Sequence, residues 1–196
     1  ANDRQRMPRL RVGRSLWSAR NANLDAARFP VLRGRVDVDV AIVGGGFTGA
    51  AAAWRFADAG IPVAVLEAQR IGRGSTAAST SFLQYEIDVP LYELINAVGK
   101  KNAIRSYHLC RKAIYKVEKL CNSFNEPAIC NRRPSFQFAS FKNDVETLQK
   151  EFLLRRRAGF AIQWLNEYEI QNKYGFLKPG GILSEDGAEA DAYRIT

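Results

Sequence analysis

The sequence predicts an α/β fold in which a parallel β-sheet is followed by the start of a mixed α+β region. Three observations support this prediction. Residues 36–43 form a valine-rich apolar run, residues 61–67 form a second one, and the segment between them has the composition of a helix. Strand, helix and strand together occupy about thirty residues, which is the size of one βαβ unit.

Each element of this unit has its own basis in the sequence. Valine alternates with aspartate in residues 36–43 before the run becomes fully apolar, which indicates a strand that enters a buried parallel sheet. A helix is predicted over residues 47–59, with Gly60 as its C-terminal stop. Residues 61–67 predict a second buried strand. Residues 68–90 contain many small residues and are predicted to form a loop.

The rest of the chain predicts further helices and strands without an internal repeat. Apolar positions at helical spacing indicate one or two long helices within residues 91–124. The remaining expected elements are strands at 132–140, 161–165 and 180–186, a helix at 143–159 stopped by Gly159, and a short helix at 166–175 capped by Asn166.

The composition is that of a globular protein. The chain has 196 residues, of which 46% are hydrophobic and 25% charged, enough for one large domain or one domain plus part of another. The net charge of +9 is dispersed, and its densest groups are Arg4 to Arg14, Arg132–Arg133 and Arg155–Arg157. We expect the last two groups to be solvated faces, and we do not expect nucleic acid as a partner.

The cysteine pattern predicts free thiols rather than a metal site. Cys110, Cys121 and Cys130 form no CxxC pair, and His108 is the single histidine of the chain. We therefore expect reduced, mostly buried thiols and a cytoplasmic location. No apolar run approaches the roughly 18 residues of a membrane span, so no membrane partner is expected. The basic N-terminus also lacks a hydrophobic leader core.

Three glycines at the end of the first strand predict a phosphate-binding turn. Gly44, Gly46 and Gly49 have the spacing G-x-G-x-x-G between a strand and a helix, which is the context that this motif needs. The first glycine allows a sharp turn, the second lets a pyrophosphate approach the backbone, and the third lets the helix lie close to the sheet. Backbone N–H groups at the helix start, from Phe47 and Thr48, then point at the phosphates. The alternative is a tight turn without a ligand.

An acidic residue ends the second strand. Glu67 follows Gly44 by 23 residues, close to the spacing at which a carboxylate accepts hydrogen bonds from ribose hydroxyls. A carboxylate there also repels a 2′-phosphate, which disfavours NADP. Together these features predict a Rossmann-like domain that binds an adenine dinucleotide, and they leave open whether it is FAD or NAD.

The segment VDVAIVGGGFTGAAAAWRFADAGIPVAVLEAQRIGRGST resembles the amino-terminal portion of the D-amino-acid oxidase, glycine oxidase and sarcosine oxidase group of FAD-dependent oxidoreductases. In that group a small-residue loop with hydroxyls follows the acid and touches the FAD. The resemblance thus implies FAD as cofactor and assigns contacts to residues that follow Glu67, namely Ala68, Gly72, Gly74, Ser75 and Thr76. The family commonly continues with an Arg-Asn-Gly-Gly-like run, where this chain has residues 78–81, Ala-Ser-Thr-Ser.

The resemblance extends in weaker form over about residues 36–196 and implies a domain order. We expect an N-terminal arm (1–35), the first part of an FAD-binding domain (36–130), the beginning of a substrate domain (131–190) and a return to the FAD-binding domain (191–196). Asp191-Ala192 stands where the family usually has Asp-Pro. Family members are about twice as long, which implies that further substrate-domain and flavin contacts lie beyond Thr196.

The activity implied by the resemblance is oxidation of an amine or amino acid, by hydride transfer to the flavin, with O₂ or another acceptor reoxidising it. Two alternatives remain: an NAD-dependent dehydrogenase and a nucleotide-binding module without chemistry. The sequence assigns no catalytic residue. Gln84, Tyr85 and Glu86 are the polar candidates that follow the loop, and His108 is expected to be packed or exposed rather than catalytic.

Overall fold

A computed structural model describes residues 15–22, 29–124 and 129–196 of the chain. It contains two compact units. The first comprises the chain up to Thr80 together with Asp191–Thr196, and the second comprises Ser81–Ala190. These units are defined by compactness and not by what they bind, so the functional domain boundaries given above stay a prediction. Arg4 to Arg14 lie outside the described residues.

The first unit contains the predicted βαβ unit. Its elements are the short helix α1 (Leu16–Arg20), β1 (Val40–Val43), α2 (Phe47–Asp58), β2 (Val63–Leu66) and a 3₁₀ turn at Ser75–Ala78. The strands β1 and β2 pair in parallel, with Val40 opposite Val63 and Val43 opposite Leu66. Gly60 has φ +73° just beyond the end of α2, which confirms it as the stop of that helix.

The expectation of a buried first strand was wrong. The strand β1 begins at Val40 rather than at residue 36, and the side chain of Val43 is 87% exposed. Along β1, half-buried residues alternate with exposed ones. Within the described residues, α2 lies against β1 and β2, and Ile42 lies close to Gly49 of that helix. The residues of the N-terminal arm differ in burial: Trp17 is 8% exposed, whereas Phe29 is 69% exposed and Val31 is 80% exposed.

In residues 81–124 and 129–190, the second unit contains two antiparallel three-stranded sheets and four α-helices. Its strands are β3 (Phe82–Leu83), β4 (Cys130–Arg132), β5 (Ser135–Phe138), β6 (Ile162–Asn166), β7 (Gly180–Ser184) and β8 (Ala188–Ala190). Its helices are α3 (Leu91–Val98), α4 (Lys100–Ser123), α5 (Val145–Arg157) and α6 (Glu167–Tyr174), with a 3₁₀ turn at Lys142–Asp144. The sheet orders are β3-β8-β4 and β5-β7-β6.

Gly159 ends α5 and Asn166 begins α6 as the sequence predicts, and the structure adds Gly99 as a further stop. Gly99, with φ +80°, separates α3 from α4 and makes two helices of the region 91–124. Gly159 has φ +87° just after α5. Asn166 caps α6: its side-chain oxygen accepts the Glu169 N–H at 3.0 Å, and the Glu169 carboxylate accepts the Asn166 N–H at 2.7 Å.

The strand β7 is the centre of the core of the second unit, and all of its residues are buried. Ile182 packs with Leu148 of α5, and Leu183 packs with Ile170 of α6. Because neighbouring side chains of a strand point to opposite faces, each face of this sheet is covered by a different helix.

The prediction that Arg155–Arg157 form a solvated face was wrong for its first member. Arg155 is 1% exposed, and its Nε lies 2.6 Å from Oε1 of Glu151, which is also 1% exposed. The carboxylate of Glu151 further accepts the backbone N–H groups of Leu91 and Tyr92 at 2.8 and 3.0 Å. Glu151 thus caps the first turn of α3 from α5. Burial of the two charges is possible because they pair with each other, because Glu151 accepts the N–H groups of α3, and because Arg155 donates to the Gln137 side chain at 2.9 Å.

The three thiols are free, and two of them lie together. Cys121 and Cys130 are buried and lie near each other, whereas Cys110 is half-buried. Burial raises the pKa of the Cys130 thiol to about 11, and it raises the pKa of Cys121 as well. Among the helices that the structure describes, none is both long and apolar enough to cross a bilayer.

Candidate cofactor site

The turn between β1 and α2 brings the backbone of the first turn of α2 very close to the backbone at the end of β1. Gly44 has φ +107°, and its N–H donates to the Leu66 carbonyl at 2.8 Å, which fixes the turn to the end of β2. A Cβ at Gly49 would collide with the carbonyl oxygen of Gly44. A side chain at Gly49 would therefore force the helix away from the strand end, and a side chain at Gly44 would strain the turn at its positive φ.

The first turn of α2 presents unpaired backbone N–H groups. Gly46 is the N-cap residue and provides no side-chain cap. The hydroxyl of Thr76 accepts the Phe47 N–H at 3.0 Å, and a Cβ at Gly46 would lie 3.0 Å from the same hydroxyl. The N–H groups of Thr48 and Gly49 belong to the turn that has no acceptor within the helix. They are donors for an anion at this corner.

Glu67 lies beside this corner as an ionised acceptor. Its Oε2 accepts the Gly45 N–H at 2.7 Å and its Oε1 accepts the Gln69 N–H at 2.8 Å. The hydrogen bond from Gly45, followed by that from Gln69, lowers the pKa of this carboxyl below its ordinary value of 4.5. Glu67 is exposed, and each carboxylate oxygen has a further lone pair available. The arrangement is suited to accepting hydrogen bonds from hydroxyl groups.

The loop after Glu67 folds back onto the glycine turn. The Gly72 N–H donates to the Gly45 carbonyl at 2.8 Å, and Gly72 is buried with φ +68°. Further along, Gly74 and Ser75 are exposed at the start of the 3₁₀ turn. Ala68 is exposed beside Glu67. The loop therefore places small and hydroxyl-bearing residues around the N-terminus of α2.

The structure brings Gly46, Phe47 and Thr76 together through direct contacts, and it joins Glu67 to them through Gly45, a residue outside the predicted set. Gly45 donates to Glu67 and accepts from Gly72, so it ties the turn to the acid and to the loop. The sequence signal for Gly45 is its place as the middle glycine of the run Gly44–Gly46. A Cβ there would lie 3.0 Å from the Ile71 side chain.

The polar candidates after the loop belong to the second unit. Tyr85 is fully buried and stacks on Phe160 with ring centroids 4.7 Å apart, and burial raises its pKa to about 12. Oε1 of Glu86 accepts the Ser135 hydroxyl at 2.8 Å. Gln84 and Glu86 line a cavity of about 350 Å³ together with Arg155. These contacts give Tyr85 and Glu86 packing and ion-pairing roles in the unit.

His108 is packed, as expected. Its Nε2 lies 2.9 Å from the Ala158 carbonyl oxygen, and its ring stacks on Phe160 at a centroid distance of 4.6 Å. These contacts join α4 to the end of α5.

Comparison with known proteins assigns the family. The model of the family described as FAD dependent oxidoreductase matches residues 39–196. The chain therefore belongs to the FAD-dependent oxidoreductases, a family whose cofactor is FAD.

Three individual proteins are similar to parts of the chain. One is the provisionally named Rieske 2Fe-2S iron-sulfur protein YhfW of Bacillus subtilis (strain 168), 25% identical over 146 residues, 74% of this chain and 29% of that protein. The second is gamma-glutamylputrescine oxidoreductase of Escherichia coli (strain K12), 40% identical over 81 residues, 40% of this chain and 19% of that protein. The chain thus spans less than a third of either relative.

The third is a solved structure. Glycine oxidase from Bacillus cereus ATCC 14579 is 20% identical, with a TM-score of 0.61 over 81% of this chain and 41% of that chain. At this level of identity the likeness supports the fold alone. It agrees with the α/β class predicted from the sequence.

Proposed function

We propose that the whole protein is an FAD-dependent oxidoreductase that oxidises an amine or an amino acid. The observation that carries the proposal is the corner at which Gly44, Gly46 and the first turn of α2 meet Glu67. It combines backbone donors for a diphosphate with a carboxylate for a ribose, within one contiguous part of the first unit.

The residues of this corner fit FAD. A Cβ at Gly44 would meet nothing within 4 Å, so the space beside the turn is open. The pyrophosphate would lie over Gly44 and Gly46, with the N–H groups of Thr48 and Gly49 as donors. The adenosine ribose would bind Glu67, whose lowered pKa keeps the acceptor ionised at neutral pH.

Thr76 and its neighbours would complete the pyrophosphate site. The Thr76 oxygen already accepts the Phe47 N–H, so its own O–H proton is available to donate to a phosphate oxygen. Ala68, Gly74 and Ser75 are exposed in the same loop, where small side chains leave room for the extended ribityl chain. When bound, FAD supplies the acceptor for a hydride from substrate. The chain's own residues bind and orient it.

The substrate class rests on the relatives. Gamma-glutamylputrescine oxidoreductase and glycine oxidase carry amine and amino-acid substrates in their names, and both resemble this chain. We extend that class to this protein, together with O₂ or another acceptor as oxidant. A cytoplasmic location stays a prediction.

Cofactor titration tests the proposal directly. We expect the purified protein to bind FAD with quenching of flavin fluorescence and to show no comparable affinity for NAD. Gly46→Val should abolish FAD retention because its side chain enters the phosphate space. Glu67→Ala should weaken FAD binding by about 1–3 kcal/mol, the cost of a lost charge-assisted hydrogen bond. Wild-type affinity in the Gly46→Val variant would disprove the assignment.

The activity is tested on the whole protein with a panel of amines and amino acids. Substrate-dependent bleaching of the flavin absorbance under anaerobic conditions would show the reductive half-reaction. If the whole protein binds FAD and no amine or amino acid bleaches it, the substrate class is wrong while the cofactor assignment stands.

A further inference from the structure

The described part of the N-terminal arm, residues 15–22, lies outside the match to the family model and is nevertheless packed into the first unit. Trp17 is 8% exposed and Asn21 is 6% exposed. Buried polar groups need hydrogen-bond partners. The partners of these two residues show what the arm contacts.

Trp17 contacts the end of the loop that follows Glu67. Its indole N–H donates to the Ser79 carbonyl at 2.8 Å, and α1 packs against the 3₁₀ turn at Ser75–Ala78. That turn contains Thr76, whose hydroxyl accepts the Phe47 N–H at the start of α2. The hydrogen bond from Trp17 thus anchors the segment whose Thr76 contacts the first turn of α2.

Asn21 joins the arm to the last residues of the unit. Its side-chain amide lies 3.1 and 2.9 Å from the two carboxylate oxygens of Asp191, which is 7% exposed, and 3.0 Å from the Trp17 carbonyl. Oδ1 of Asp191 also accepts the Tyr193 N–H at 3.0 Å. The Asn21 amide therefore caps the C-terminal end of α1 and connects this helix to residues 191–196.

Tyr193 contacts the other end of the same loop. A Cβ at Gly72 would lie 3.0 Å from the Tyr193 ring, and the Arg73 guanidinium lies 5.2 Å from the centroid of that ring. Residues 72–79 are thus held at Gly72 by Tyr193 and at Ser79 by Trp17. The Asn21–Asp191 contact links the two.

We propose that Trp17 and Asn21 are positioning residues for the cofactor site. They act through residues 72–79, because they hold this loop where Thr76 meets the first turn of α2. What the loop then binds rests on the function proposed above. The hold of the arm on the loop is a separate property that can be measured without cofactor.

Three variants and one control separate these roles. Trp17→Phe keeps an aromatic ring, although a smaller one than indole, and removes the N–H donor. Asn21→Asp sets a second carboxylate against Asp191, and adding Asp191→Asn restores a donor–acceptor pair. Trp54→Phe is the control, since Trp54 is 40% exposed on α2. Circular dichroism confirms that each variant is folded.

Two measurements are made on each protein: hydrogen exchange of residues 68–80 without cofactor, and the dissociation constant of FAD. We expect Trp17→Phe and Asn21→Asp each to increase exchange in this segment and to weaken FAD binding about three- to tenfold, as for loss of one hydrogen bond. The Asn21→Asp/Asp191→Asn pair should recover most of both effects. Trp54→Phe should change neither.

Unchanged exchange of residues 68–80 in both single variants would overturn the proposal. So would increased exchange with wild-type FAD affinity, because the arm would then have only a structural role. If the wild-type protein binds no FAD but exchange responds as expected, the proposed function fails while the hold of the arm on the loop is supported.

Discussion

The hydroxyl oxygen of Thr76 lies 3.0 Å from the backbone nitrogen of Phe47, so a side chain 29 residues further along the chain caps the start of α2. Helices are more often capped by the residue that directly precedes them. Here that residue is Gly46, which has no side chain to offer. The cap of α2 therefore comes from Thr76 in the loop, and the absence of a side chain at Gly46 leaves room for a ligand next to the helix.

Replacement of Thr76 by valine tests this cap. Thr76→Val keeps the shape and removes the acceptor, and we expect a loss of about 1 kcal/mol in the free energy of unfolding, as for other N-caps. Thr76→Ser retains the hydroxyl and should stay near wild type. Urea unfolding without FAD measures both. A loss in Thr76→Ser without a loss in Thr76→Val would show that the methyl group, not the hydroxyl, stabilises the turn.

Gly49 should be intolerant of even one extra carbon. In Gly49→Ala the added Cβ collides with the Gly44 carbonyl, so we expect a loss of about 1–3 kcal/mol in the free energy of unfolding. Gly74→Ala is the matched control, because a Cβ there meets nothing within 4 Å and φ is −85°. Urea unfolding without FAD compares the two. A stability of Gly49→Ala equal to that of the control would contradict the close approach of α2 to β1.

The carboxylate of Glu67 gives a pH-dependent prediction. Its pKa is lowered in the folded state by the N–H groups of Gly45 and Gln69, so ionisation stabilises the fold above the ordinary value of 4.5. That contribution is lost as the pH falls through the lowered pKa. Glu67→Gln should therefore melt below wild type at pH 7, and the difference should shrink at acidic pH.

Thermal melts from pH 7 downward measure this difference, with Glu185→Gln as the control for removal of an exposed carboxylate elsewhere. A gap between wild type and Glu67→Gln that stays constant or grows toward low pH would contradict the hydrogen-bonding described for Glu67.

The buried pair of Glu151 and Arg155 should be important for the stability of the second unit. Glu151→Gln leaves Arg155 without its closest counter-charge and weakens the cap of α3, so we expect a loss of about 3–5 kcal/mol in the free energy of unfolding. Glu146→Gln, on the exposed face of the same helix, should change it by less than about 0.5 kcal/mol. Denaturant unfolding that gives similar values for the two variants would refute this role.

Local sequence patterns predict the βαβ unit well, because its determinants lie close together in the chain. The spacing of Gly44, Gly46 and Gly49 fixes where β1 ends and α2 begins, and Glu67 falls at the end of β2. Helix stops such as Gly159 are equally local, since a positive φ favours glycine. The contact of Thr76 with Phe47 is not local, and no periodicity indicates it.

Features that depend on distant contacts escape the sequence analysis. The helix α1 has five residues, and its partners Ser79 and Asp191 lie 62 and 170 positions away. The very short strands β3 and β8 exist through mutual pairing rather than through a pattern of their own. Arg155 looks like one of three surface arginines, and only the spacing to Glu151 at i−4 hints at its burial.

The different surroundings of the three thiols have a practical consequence. The raised pKa values of Cys121 and Cys130 keep both as unreactive thiols at neutral pH, and neither is accessible to solvent. Cys110, half-buried on α4, should therefore react first with a maleimide. The unaltered chain then offers one attachment point for a fluorophore or spin label, which would report the mobility and surroundings of α4 without any substitution of cysteine.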